Sequence, residues 1–263
     1  FSITKIYKRM ENIMKNKEKD YYDKTKNWNF DEFNIKSENF TNWDMYEFLK
    51  SVTSESSKVL DLGTGGGEKL LSKFPEVKEI LGTDYSTEMI KTANKNLLLS
   101  GRKNIKFKVM DNLKMDVSHD YFDVVVARNT VTDPKQIYKA LKKNGYVIIR
   151  GVDKFDAYEL KLIFGKGQGL SVNKPISIID YENVLKAGFK DVILVPIHVV
   201  EYFENKDIFY KFLCKVPIID DFDEGNITMT KLDKEKLDYY IERNQTSKGI
   251  RLVRRYYGIT GRK

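Results

Sequence analysis

The chain has 263 residues, a formal net charge of +8, 41% hydrophobic residues, one cysteine and two histidines. That is enough apolar material for one large core carrying a cap, and too much for a disordered chain. It excludes an intramolecular disulfide and offers no zinc spacing, and no apolar run approaches the roughly 20 residues that a bilayer-spanning helix needs.

Residues 1–50 are polar and aromatic, with Tyr21, Tyr22, Trp28, Phe30, Phe33, Phe40 and Trp43. They read as a helical leader, with a helix over about 3–16, a second over about 42–51, and no long strand. The opening FSITKIYKRM lacks the pattern of a secretory signal, and the single Cys214 suits a reducing compartment, so a cytoplasmic location is expected. From residue 51 onward strand and helix alternate. Strands are expected near 58–62, 79–83, 105–109, 122–128 and 145–150. Residues 86–99 place Met89, Ile90, Ala93 and Leu97 on one helical face, and 134–143 do so with Ile137, Ala140 and Leu141, ending at Gly145. Such alternation implies a parallel sheet covered on both faces, with ligands at the carboxyl ends of its strands. Past FGKGQG (164–169), read as a mobile loop, a helix is expected at 179–187, a strand at 189–195 and a last strand at 252–259. The stretch 196–249 between them holds two helical stripes, Ile208/Phe209/Phe212/Leu213 and Leu232/Leu237/Tyr240/Ile241, and reads as a helical cap insertion within a domain running from 51 to 263.

The most specific local signal is KVLDLGTGGG at 58–67, a short strand, a glycine turn and then a helix, followed about twenty residues on by Asp84 at the end of EILGTD. A glycine turn there lets a ligand lie against bare backbone at a helix N-terminus, and Asp84 can accept hydrogen bonds from two ribose hydroxyls. The glycines do not have nicotinamide spacing. Asp61 ahead of them would repel a pyrophosphate but can sit near an ammonium group. No Walker lysine follows.

With three further landmarks in register, LGTDYSTEMI, FKVMDNL and FDVVVARNTV, residues 55–195 resemble a class I, S-adenosylmethionine-dependent methyltransferase. The resemblance implies a seven-stranded, doubly wound, mostly parallel sheet with an antiparallel last strand, and S-adenosylmethionine as cofactor. It implies that Asp61, Gly63, Thr64, Gly65 and Asp84 bind the cofactor, that Tyr85 and Met89 pack on adenine, that Asp111 meets the adenine amino group, and that Asn112 and Leu113 flank the ring. The aromatic leader is expected to fold over the cleft or to pack outside the sheet.

Methyl transfer needs position first and a base only sometimes. Candidates follow the fourth strand of the motif. Arg128 can hold an acceptor carboxylate or phosphate, contact the cofactor, or close a salt bridge; Asn129 can align an acceptor or bind the cofactor's methionine end. Asp133 reads as a helix cap. His198 is the one histidine placed to act as a base, or else is structural; His119 reads as a solvated loop residue. Cys214 reads as a small core residue. No nucleobase-amine motif follows strand four. Only nine of the 46 basic residues are Arg, the residue favoured for phosphate and base recognition, and the run Arg251, Arg254, Arg255, Arg262, Lys263 reads as a solvated strand edge. The leading reading is a methyltransferase with a small-molecule acceptor, with no metal and no membrane partner. An rRNA or tRNA methyltransferase is the alternative, and a non-catalytic cofactor-binding scaffold the second.

Overall fold

The computed structural model describes residues 30–219 and 231–263; the helix expected at 3–16 and Tyr21, Tyr22 and Trp28 lie outside them. A 3-10 turn at Asp31–Phe33 precedes β1 (Lys36–Asn39), α1 (Met45–Ser51), β2 (Lys58–Leu62), α2 (Glu68–Lys73), β3 (Glu79–Asp84), α3 (Thr87–Ser100), β4 (Ile105–Val109), β5 (Phe122–Arg128), α4 (Pro134–Ala140) and β6 (Leu141–Val152). The second half gives α5 (Tyr158–Phe164), α6 (Ile176–Lys186), β7 (Lys190–Phe203), α7 (Lys206–Lys215), α8 (Lys231–Asn244), β8 (Gln245–Thr246) and β9 (Gly249–Arg262).

The strands form one sheet in the order β1-β7-β9-β6-β5-β2-β3-β4, with β8 paired to β9. Strands β2 to β6 pair parallel among themselves, and β9 runs antiparallel between β6 and β7. This is the expected doubly wound sheet with its antiparallel last strand, extended by two strands. One of these, β1, lies in the leader, where only helices were expected. Its sequence KSEN has no apolar residue. It is held by backbone pairing to β7 and by Glu38, which accepts from Tyr202 Oη at 3.0 Å and pairs with Lys248.

Two other boundaries move. Helix α4 stops at Ala140 because Leu141 turns extended, pairs with Phe122 and is fully buried in the sheet; Asn144 then takes a left-handed φ of 65° before the strand resumes. Strand β7 runs on to Phe203 because IHVVEYF keeps β-branched and aromatic residues paired with β9 without a break. The helical insertion therefore occupies 204–248.

Side-chain alternation assigns each residue to a face. Leu60, Leu62, Val125, Ala127, Val147, Ile149, Tyr257 and Ile259 point to one face and pack under α4 and α6 through Ile137, Ala140 and Val184. Val59, Ile80, Ile105, Val124, Val126 and Ile148 point to the other and pack under α1 and α2 through Met45, Leu49 and Leu70. Farther along that second face, Phe203, Ile250 and Leu252 join Phe33, α5, α7 and α8 in a separate aromatic cluster. Phe30 and Phe33 pack on Phe212 there, with ring centroids 6.2 and 5.8 Å away, so the leader touches the insertion.

The FGKGQG run is clamped at its centre. Lys161 is 1% exposed, and its ammonium donates to the carbonyls of Lys154 (2.6 Å) and Gln168 (2.9 Å). Gly167, at φ 142°, lies against the lysine's alkyl chain, where a Cβ would approach within 2.5 Å. A buried ammonium needs such carbonyls, and the glycines let the chain curl around it.

Candidate active site

The glycine turn leaves β2 with Gly63, Gly65 and Gly67 at φ of 73°, 58° and 78°. This left-handed alternation is why glycine recurs at every second position. At Gly63 the requirement is double, since a Cβ would sit 2.6 Å from Cβ of Thr130. The amides of Gly63 and Thr64 both donate to the carbonyl of Thr83 at 2.8 Å, and the Gly65 amide donates to Asp84 Oδ2 at 2.9 Å. Asp84 Oδ1 accepts from Ser86 N at 2.9 Å, and Ser86 caps α3 through Met89 N. One carboxylate therefore ties the glycine turn to the start of the next helix. Met89 is buried beneath that helix, while Tyr85 is 40% exposed at the rim.

Behind the turn lies a bonded chain. Thr83 Oγ1 donates to the Asp61 carbonyl at 3.3 Å, and Asn112 Nδ2 donates to Thr130 Oγ1 at 3.0 Å. Asp111 Oδ1 accepts from Leu113 N at 2.9 Å, fixing the loop after β4. Thr83 looks in the sequence like one more strand residue. Its part in holding the turn follows from two amides converging on its carbonyl.

Asp61 is buried, and burial pushes its carboxyl up to about 7. Thr64 and the Arg128 guanidinium pull the other way, and the charge of Asp84 adds to the rise. The Thr64 hydroxyl leans toward Asp61 without full hydrogen-bond geometry and has no other partner among the described residues. A buried carboxyl whose charge is disfavoured by burial, beside an orphaned hydroxyl and a turn of bare backbone, is a site suited to a cationic ligand.

A row of polar side chains crosses the α1 face at the carboxyl end of the sheet. Arg128 on β5 is in register with Arg150 on β6, and Arg150 with Gly258 on β9, so the three share a face with Asp61 and Tyr256. Asn129 holds a left-handed φ of 52°; its amide donates to the Arg150 carbonyl at 2.7 Å, and its Oδ1 accepts from Arg150 Nη1 at 3.0 Å. The Arg150 guanidinium stacks 4.0 Å over the Tyr256 ring. Trp43 lies on Gly258, where a Cβ would meet its ring at 2.5 Å. Tyr46, set by the Asp44 cap of α1, senses the charges of Arg128, Asp61 and Arg150, and burial raises its hydroxyl. Sequence reading missed Arg150, Tyr256 and Tyr46.

The row ends at Arg254, which corrects the reading of the basic run as a solvated edge. Arg254 is 5% exposed and grips Asp156 with two bonds (2.9 and 3.1 Å) and Glu201 with a third (2.8 Å). Lys263 pairs with Asp120 at 2.7 Å. Arg251 is exposed.

Asp61, Gly63, Thr64, Gly65, Asp84, Asp111, Asn112, Leu113, Arg128 and Asn129 thus gather around the ends of β2 to β5. His198 does not join them. It pairs with Arg255, on the opposite face from Arg128, and β7 stands four strands from β2, roughly 19 Å at about 4.8 Å per strand. Its ring rests on Phe40, and partial burial with the charge of Arg255 lowers its pKa. Cys214 is half-buried on α7, where burial raises its thiol. Asp133 caps α4 by accepting from Lys135 N. The described residues hold no metal-binding cluster and no helix long and apolar enough to cross a membrane.

A family model described as a methyltransferase domain matches residues 53–193, more than half of the chain. The chain belongs to the class I, S-adenosylmethionine-dependent methyltransferase family. It is 31% identical over 134 residues to ribosomal protein L11 methyltransferase of Listeria monocytogenes, a match covering 48% of this chain and 41% of that protein. The chain thus spans less than half the length of that relative. Among solved structures, a putative methyltransferase of Bacillus halodurans superposes with a TM-score of 0.58 at 17% identity, over 84% of this chain and 98% of the other. Phosphoethanolamine N-methyltransferase 2 of Haemonchus contortus, solved with phosphomonomethylethanolamine and S-adenosylhomocysteine, gives 0.51 at 20% identity, over 84% and 52%. At these identities the two structures show the shared fold alone.

Proposed function

We propose that this methyltransferase transfers a methyl group from S-adenosylmethionine to a small-molecule acceptor with a polar or anionic group. The observation that carries the cofactor half is the buried Asp61, raised toward neutrality beneath a turn of left-handed glycines that is tied to Asp84. Asp61 would pair with the methionine ammonium, Asp84 would accept the ribose hydroxyls, and Tyr85, Met89 and Asp111–Leu113 would frame the adenine. When bound, the cofactor supplies an electrophilic methyl on a sulfonium, open to in-line displacement. The chain's own part is position. Arg128 and Asn129, at the end of β5, would hold the acceptor's polar group, and the leader and the 204–248 insertion would wall the cleft. Such packing excludes water from the displacement. His198 has no part in this reading.

The relatives' names span a ribosomal protein and a phosphorylated amine, so the acceptor is argued from the site. A small acceptor is favoured because the basic run is not one continuous free surface: Arg254 is enclosed and Lys263 paired, which leaves Arg251 and Arg262 as its exposed members. The test is transfer of label from S-adenosylmethionine to a metabolite extract, to total RNA and to ribosomal protein. Label in metabolite fractions is the expected result. Strong labelling of one RNA or protein species at about physiological salt, with none in metabolites, overturns the acceptor class.

A further inference from the structure

The seam between the two apolar clusters of the α1 face holds more positive charge than its neighbours neutralise. Of its three guanidiniums, Arg254 is matched by Asp156 and Glu201. Arg128 and Arg150 are not. Among the described residues Arg128 makes no hydrogen bond or ion pair, and Arg150 meets only neutral groups: it donates to Asn129 Oδ1 and engages Tyr256 through its ring and its hydroxyl, a phenol that burial keeps neutral. The carboxyl close enough to sense Arg128 is Asp61, which burial drives toward its neutral form. Both arginines stand side by side on adjacent strands, on one face, at the carboxyl edge where open α/β sheets receive ligands. The two repel, and burial already disfavours the charge on Arg150. Neither strand needs arginine there for its own pairing.

Position is fixed as well as charge. Asn129 adopts a left-handed backbone that a non-glycine residue takes at some energetic expense, and its amide and side chain both engage Arg150. The aromatic face of Tyr256 holds the guanidinium plane. An arginine so held presents its remaining N–H groups as a fork of fixed orientation, the geometry that suits a carboxylate or phosphate.

We propose that Arg150, with Arg128, binds an oxyanion of the methyl acceptor, so that the acceptor is a small carboxylate or phosphate ester held between β5 and β6 with Tyr256 as the wall. This rests on the methyltransferase reading for the word acceptor, but the anion site itself does not depend on it.

The experiment titrates the full chain, in chloride buffer at fixed ionic strength, with inorganic phosphate and separately with malonate, each with and without S-adenosylhomocysteine, and compares Arg150→Gln, Arg128→Gln and the surface control Arg251→Gln. The expected result is saturable binding of one anion at millimolar concentration. That binding is weakened at least ten-fold in Arg150→Gln and Arg128→Gln, is unchanged in Arg251→Gln, and the binding of S-adenosylhomocysteine to Arg150→Gln stays within about two-fold. Which anion binds assigns the phosphate or the carboxylate class. As a readout on the unaltered protein, phenylglyoxal labelling mapped by peptide mass spectrometry should show Arg150 protected by that anion while Arg251 is labelled regardless. Absence of saturable binding of both anions, undiminished binding in Arg150→Gln, or no protection of Arg150 overturns the proposal. Failure of S-adenosylhomocysteine to bind, with the anion still bound, removes the methyltransferase reading and leaves the anion site standing.

Discussion

The amide of Gly65 donates to Asp84 Oδ2 over 2.9 Å, so one carboxylate shapes the glycine turn and, in the proposed reading, would also accept the ribose hydroxyls. Asp84→Ala removes both roles. Affinity for S-adenosylhomocysteine should fall by about 1–3 kcal/mol, the loss associated with leaving polar groups without a charged partner. Calorimetric titration measures it directly, and unchanged affinity would take Asp84 out of the site.

Asp61 gives a dependence on pH whose sign differs between the free and the bound chain. Its carboxyl sits near 7, against a usual value of 3.8. Because the folded pKa is raised, the folded ligand-free chain holds a proton that the unfolded chain releases, and its stability falls as pH climbs from about 4 to about 7. A cationic ligand favours the ionised form, so affinity should rise across that same window and level off above it. Asp61→Asn should abolish the rise and weaken binding. It should also stabilise the free chain at pH 8 by something on the order of 2 kcal/mol. A variant with the pH slope of the original chain would refute the assignment.

Gly63→Ala places a Cβ at φ 73° and within 2.6 Å of Thr130 Cβ. Left-handed backbone and overpacking together should destabilise the fold by about 2–4 kcal/mol. Gly101, also left-handed but with open space around its missing Cβ, is the natural comparison. Its alanine variant should lose only the backbone part, about 1–2 kcal/mol. Urea denaturation separates the two, and equal losses would mean that Thr130 yields freely.

Arg254→Ala leaves Asp156 and Glu201 facing each other's charge without their common partner. Breaking a buried pair from one side typically costs about 3–5 kcal/mol, and chemical denaturation should register that. If the loss stays below about 1 kcal/mol, the range of surface pairs, water must reach the cluster.

How much of this could be read in advance follows the range of each interaction. The turn at Gly63–Gly67, the carboxylate at Asp84 and the loop at Asp111–Leu113 are local patterns in which a few consecutive residues dictate their own backbone. Arg150 has no such mark, since YVIIRGV reads as an ordinary strand with a charged end. It matters only because β6 lies beside β5 in a register that sets it next to Arg128. The partner of Arg254 is 98 positions away, which is why the basic run looked solvated. The run FGKGQG looked like a flexible loop because it is held by the ammonium of Lys161, which lies outside the run and binds carbonyls from both sides of the helix. Strand β1 was missed for the opposite reason. Its polar residues carry no strand pattern, and the exposed edge of β7 supplies the pairing.

The position of β9 between β6 and β7 bears on how the chain assembles as it is synthesised. Both neighbours emerge from the ribosome first, and between them lies a gap one strand wide. Until residues 249–262 arrive, β6 and β7 each show a bare row of amides and carbonyls, and Glu201 and Asp156 wait without the cation that joins them. Such edges invite pairing with other nascent chains, and contacts so distant in sequence form slowly. The half from β2 to β5 can zip up as each strand is made. The half that carries Arg150 and Tyr256 closes in a single late step.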